Sequence, residues 1–176
     1  MTRAPTIALL LALGSAALGK ESDHALVTLR MSTGAELISA RSGSLRWTAK
    51  RLDADRVQVQ LQVPVESFDS GRGNFDSLLR AAFESDRYPL VDVEGILQAG
   101  RFEGTITAHG ITRPLEVPVE IVRAGDQLRA VAFLSLDLEQ FAVSLPAAGR
   151  HVAVEFSARL SVVPHAVLAG GAVSSD

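Results

Sequence analysis

Residues 57–65 read VQVQLQVPV, with an apolar side chain at every odd position and Gln or Pro at every even one. Successive side chains of an extended strand point to opposite faces, so strict period two means one dry face and one wet face. The same alternation returns in Leu115, Val117, Val119 and Ile121 set against Glu116, Pro118 and Glu120, and again in Val152, Val154, Phe156, Ala158 and Leu160. Looser versions occupy residues 26–31, 43–49, 90–97, 101–109 and 127–138. Turn chemistry separates these runs, at Leu52-Asp53-Ala54-Asp55, Gln98-Ala99-Gly100, His109-Gly110, Ala124-Gly125-Asp126 and Pro146-Ala147-Ala148-Gly149. Most neighbours therefore pair as antiparallel hairpins. About eight half-dry strands at this spacing fit an all-β closed barrel or a sandwich, and the barrel has the advantage of leaving no exposed edge.

One interruption is helical. In SFDSGRGNFDSLLRAAFESDRYP, residues 67–89, the side chains of Phe75, Leu78, Leu79, Ala82 and Phe83 recur at helical spacing and make one apolar stripe. Residues 75–84 are expected to form a single short α-helix that lids or flanks the sheet. Asn74 is placed to cap it, Gly73 to ease the exit from the strand, and Tyr88-Pro89 to prevent its continuation. Gly71-Arg72-Gly73 before a helix also resembles the start of a phosphate-cradling loop. The G-x-G-x-x-G pattern, however, has Asp76 where its third glycine belongs, and a carboxylate there would repel a pyrophosphate.

The first residues read as a secretory signal, with Arg3, an apolar run from Thr6 to Leu18 and an Ala17-Leu18-Gly19 ending. Roughly 18 or more apolar residues are needed to span a bilayer, so cleavage after residue 19 is expected rather than anchoring. The 176-residue chain carries a formal charge of −3, and residues 1–19 hold Arg3 and no acid, so processing makes the remainder more acidic. No basic block interrupts it, which argues against a nucleic-acid partner. With no cysteine there is neither a disulfide framework nor a lipidation site, and export without disulfides suits a bacterial periplasm. Residues 20–165 make one domain, and the small, polar-ended residues 166–176 are expected to be a flexible tail.

No catalytic constellation is evident. His24, His109, His151 and His165 include no H-x-x-x-H pair, so no metal site is expected, and His109 reads as a turn residue before Gly110. No serine sits in G-x-S-x-G. Asp92, Glu94, Glu116 and Glu120 alternate with valines or leucines and belong on the wet face. Trp47 shares its parity with Leu45 and Ala49 and points inward, as core filler or as a lumen wall. Small residues recur on the inward rows, with Gly104, Ala108, Ala130, Ala132 and Ala158 beside Phe102, Ile106, Leu134 and Phe156. An eight-stranded barrel is either just filled or just able to hold one narrow ligand, and small side chains favour the second outcome. The expected lining is Trp47, Val59, Leu61, Phe102, Gly104, Ile106, Ala130, Ala132, Leu134 and Phe156, and its ligand should be apolar. Alternation alone leaves a filled core, acting through its surface as a structural or interaction module, as the competing reading.

The segments SFDSGRGNFDSLLRAAFESDRYPLVDVEG and GTITAHGITRPLEVPV resemble the YceI-like family of secreted, lipocalin-like domains. The residues that carry the resemblance are Ser67, Ser70, Gly71, Asn74, Asp76, Leu79 and Pro89, then Gly104, Ile106, Thr107, His109, Gly110, Thr112 and Pro114, within a match over residues 43–162. The resemblance implies an eight-stranded antiparallel barrel whose lumen holds a polyisoprenoid or an isoprenoid quinone in the periplasm. It implies no catalysis and no cofactor beyond that lipid, and some relatives are joined to membrane cytochromes, which would make a quinone-using membrane protein a partner. This chain departs from the family pattern in its first strand, which has His24 but no second histidine, and in the extra glycine Gly73.

Overall fold

The computed structural model describes residues 25–34, 36–124, 127–145 and 149–160. The expected leader, residues 1–19, and the expected tail, residues 166–176, lie outside the described residues. The fold is all-β. Nine strands are formed: β1 Ala25–Ser32, β2 Leu37–Ser42, β3 Arg46–Arg51, β4 Arg56–Pro64, β5 Leu90–Gln98, β6 Arg101–Ala108, β7 Ile111–Ala124, β8 Gln127–Asp137 and β9 His151–Leu160. They make one antiparallel sheet in the order β2-β1-β9-β8-β7-β6-β5-β4-β3. Strands β2 and β3 end that order yet are joined by only residues 43–45, so the sheet must curl back on itself like a barrel.

Eight of these strands coincide with the eight alternating runs, and the ninth, β2, was not expected. Its sequence LISARS hides the alternation, because Leu37 points out and is 67% exposed while the small Ala40 and Ser42 fill the buried positions beside Ile38. The free edge of β2 does not stay bare. Arg41 and Asp69 exchange backbone hydrogen bonds of 2.8 and 2.9 Å, and the hydroxyls of Ser42 and Ser67 lie 2.7 Å apart.

The helix α1 spans Gly73–Ala82, shifted from the expected 75–84. Asn74 does not cap it. Arg72 is the N-cap residue and makes no side-chain cap bond, while Asn74 Oδ1 accepts only from the adjacent Phe75 N–H. The turn ahead of the helix is instead built on two aspartates. Asp69 accepts from Gly71 N–H at 2.7 Å, and the buried Asp76 accepts from the Ser70 N–H at 3.0 Å and from the Ser70 hydroxyl at 2.6 Å. Gly71 takes the left-handed φ of +71° that this turn needs, and Gly73 simply begins the helix. The buried stripe is Phe75, Leu79 and Phe83, with Ala82 half-buried; Leu78, counted in the stripe from spacing, is 48% exposed. Asp76 therefore stabilises the turn, and Asp76→Ala removes the acceptor shared by the half-buried Ser70 N–H and hydroxyl, with an expected loss of about 2 kcal/mol in denaturant unfolding.

In the wall, Gly95 of β5 faces Gly104 of β6. A Cβ on Gly104 would fall on the Glu94 carbonyl and the Gly95 backbone, and one on Gly95 would meet the Phe102 ring carbon Cζ at 2.7 Å. The two strands thus approach too closely for any side chain, and Phe102 covers the gap. We expect Gly104→Ala to cost about 3 kcal/mol, read as a lowered denaturant midpoint at unchanged slope, because backbone rather than a mobile side chain must move.

Candidate functional site

The odd-numbered residues of β3, β4, β5 and β7 and the even-numbered ones of β8 and β9 turn inward, and the rows do not meet. They enclose a cavity of about 470 Å³ lined by 33 residues, every one of them Val, Leu, Ile, Ala, Met, Phe or Trp. Eight strands contribute, and β2 does not. This void is the physical difference from a filled core. Of the ten residues expected to line it, Trp47, Val59, Leu61, Phe102, Ile106, Ala130, Ala132, Leu134 and Phe156 do so. Gly104 does not; its inward position is taken up by the close approach of β5 and β6.

One end of the lumen is walled by side chains that lie outside the regular alternation. Leu79 and Phe83 from α1, Phe68 from the stretch before it, and Leu138 and Phe141 from the 3-10 turn Leu138–Phe141 line the cavity and are all buried. The helical stripe signalled the first two. Nothing in the spacing of LEQF signals that Leu138 and Phe141 turn back over the barrel end.

The motif residues gather around this closed end and brace it. His109, at φ +51°, and Gly110, at φ +73°, form the β6–β7 turn. The His109 Nδ1 lies 2.9 Å from the Phe141 carbonyl, an arrangement in which the ring N–H donates. Its Nε2 is buried 3.3 Å from Glu84 Oε1, a close approach whose angle is not that of a hydrogen bond. Tyr88 packs edge-on against the imidazole, with centroids 4.8 Å apart, and lies against Gly110, where a Cβ would meet its ring at 2.7 Å. Pro89 accepts from Val65 N–H at 2.9 Å, and the hydroxyls of Thr107 and Thr112 pair at 2.8 Å. Among the residues of the motif only Leu79 and Ile106 face the lumen.

The 138–141 turn is held by Asp137 and Arg150. Asp137 Oδ1 accepts from Glu139 N–H at 3.1 Å, its other oxygen takes the Arg150 guanidinium, and Leu138 N–H donates to the Arg150 carbonyl at 2.8 Å. The guanidinium beside it, more than the Glu139 N–H, holds the Asp137 carboxyl below the usual carboxylate range. A carboxyl depressed on folding stabilises the fold above its unfolded value and ceases to do so as pH falls through the folded one. We therefore expect the amide of Val143, which donates to Leu138 O at 3.1 Å, to lose hydrogen-exchange protection below the ordinary carboxylate range and in Asp137→Asn at neutral pH.

No His, Asp or Glu side chains among the described residues converge in a group of three that could hold a metal ion. Among the described residues, no helix is long and apolar enough to cross a membrane.

This barrel, with its apolar lumen and braced end, defines a class of binding-type β-barrel. The family model described as the YceI-like domain matches residues 20–160, and the chain belongs to that family. Solved structures that share the fold include the following two. BcnA of Burkholderia cenocepacia is 16% identical, with 78% of this chain and 96% of BcnA covered and a TM-score of 0.66. A polyisoprenoid-binding domain from Saccharophagus degradans, implicated in plant cell wall breakdown, is 15% identical, with 76% and 91% covered and a TM-score of 0.59. No curated protein matches the chain.

Proposed function

We propose that this protein is a non-catalytic carrier that holds the apolar chain of an isoprenoid lipid, a polyisoprenoid or an isoprenoid quinone, in the barrel lumen. The observation that carries the reading is the lining: a cavity of about 470 Å³ without a single charged side chain or hydroxyl. Such a surface gains by removing hydrocarbon from water, at roughly 25 cal/mol per Å². It offers a head group almost no hydrogen bond, and burying an unpaired polar group costs about 2 to 7 kcal/mol, so the head stays outside. At packing densities like those of organic crystals a methylene occupies roughly 27 Å³, so the lumen accommodates about three isoprene units. The shared fold with a polyisoprenoid-binding domain supports the same class of ligand.

The leader read at residues 1–19, together with a cysteine-free sequence, supports a periplasmic setting for this activity, with the lipid or a quinone-using membrane protein as the proposed partner. N-terminal sequencing of exported protein tests that placement, and intact Met1 in the membrane fraction would count against it.

Ala132 lines the lumen and pairs with Val119 and Phe156 on the neighbouring strands. In Ala132→Phe the ring occupies ligand space. We expect lipid content by native mass spectrometry, and uptake of a fluorescent farnesyl or quinone probe, to fall at least tenfold, while the melting temperature changes little. A filled-core module behaves oppositely, with an overpacking loss of about 1 to 3 kcal/mol and no ligand to lose.

A further inference from the structure

The wall of the barrel is not hydrogen-bonded all the way round. β6 pairs with β7 from Ala108↔Ile111 to Arg101↔Pro118, and β8 pairs with β9 from Leu128↔Leu160 to Asp137↔His151. Between them, β7 pairs with β8 only from Val119↔Ala132 to Ala124↔Gln127. Residues 111–118 of β7 and 133–137 of β8 are thus neighbours in the sheet order without a register pair.

Two prolines account for this. In an antiparallel strand the N–H groups of alternate residues point to opposite neighbours. Val119 N–H donates to the Gly100 carbonyl at 2.8 Å, on the β6 side, so odd residues of β7 serve β6 and even residues serve β8. Continuing the β7–β8 register beyond Val119↔Ala132 would place residue 118 opposite 133, and residue 114 opposite 137. Both positions are proline, which has no N–H to give. The ladder stops at the first of them. At the closed end, β7 and the turn before it reach the 138–141 turn that follows β8, through Arg113 Nε donating to the Gln140 carbonyl at 3.1 Å and through His109 on the Phe141 carbonyl.

What remains is a slit in the ladder, a stretch of wall without register pairs, bounded above by the paired residues and below by side-chain contacts with the 138–141 turn. Leu115 and Val117 on one lip and Leu134 and Leu136 on the other line the lumen. Outside it, Phe133 is 55% exposed on the β8 lip, an apolar step where water would otherwise wet the wall. We propose that the ligand chain passes into and out of the lumen sideways through this β7–β8 slit, which Pro114 and Pro118 keep unzipped. The proposal rests on the lipid-carrier reading of the same lumen. The opposite seam, at β2, is less suited because the Arg41–Asp69 backbone pair closes it.

The protein has no native cysteine, so a staple can be added cleanly. Glu116 and Ser135 are exposed, and the continued register would set them face to face. The experiment loads wild-type protein, Glu116→Cys/Ser135→Cys and Pro118→Val with a fluorescent farnesyl probe and follows its release to vesicles of neutral phospholipid. Val122→Cys/Arg129→Cys, across the already paired part of the same strands, is the control staple. Release is expected to slow at least tenfold in the oxidised slit staple and to recover on reduction. Pro118→Val, which restores a ladder donor, should slow it in the same direction, and the control should not. The proposal is overturned if the oxidised slit staple and Pro118→Val both release at the wild-type rate, or if Pro118→Val alone does so where the cystine fails to form. Absence of probe uptake by the wild-type protein would sink the carrier reading itself and the slit with it.

Discussion

The lumen offers the backbone nothing to bond with, and the rest of the structure follows from that constraint. A wall around an apolar void must satisfy its own N–H and C=O groups along its own plane, strand to strand. The long hairpin ladders from β3 through β7 and from β8 through β2 do this. Where the ladder is interrupted, the structure supplies a substitute: a backbone bridge from Arg41 to Asp69 at the β2 edge, and Arg113, His109 and the 138–141 turn at the base of β7.

The same constraint separates the two jobs that sequence motifs perform here. Residues that could contact a ligand are interchangeable hydrocarbon, selected only for size and parity. Residues with individual chemistry, such as His109, Gly110, Asp76 and Tyr88, sit at the barrel end and fix turns and the plug. A recognisable motif in this chain therefore marks the architecture of the container, and the contents leave their trace in the unremarkable rows of valine, leucine and alanine.

That division explains what could be read from the amino-acid order. Parity in VQVQLQVPV and its echoes was enough to orient eight strands and to place nine lumen-facing side chains, because an inward face has no alternative in a period-two element. Strand β2 escaped because its buried positions carry Ala40 and Ser42, which hydropathy does not distinguish from a loop. Gly104 was read as open space, whereas a missing Cβ can equally let two backbones close together, and only the partner strand's Gly95 decides between these. Asn74 has the chemistry of a cap, yet Asp76 reaches back across the turn to Ser70 and the helix starts two residues earlier. Long-range partners of this kind leave no local signature.

A void with a purely hydrocarbon wall has a mechanical consequence. Cavities of this kind stay dry, and the volume they occupy disappears when the chain unfolds and water reaches every surface. The empty barrel is therefore the softer form under hydrostatic pressure, whereas a molecule filling the space removes most of that volume change. Pressure acts on what is missing from the interior, so it senses occupancy without reference to what the occupant is.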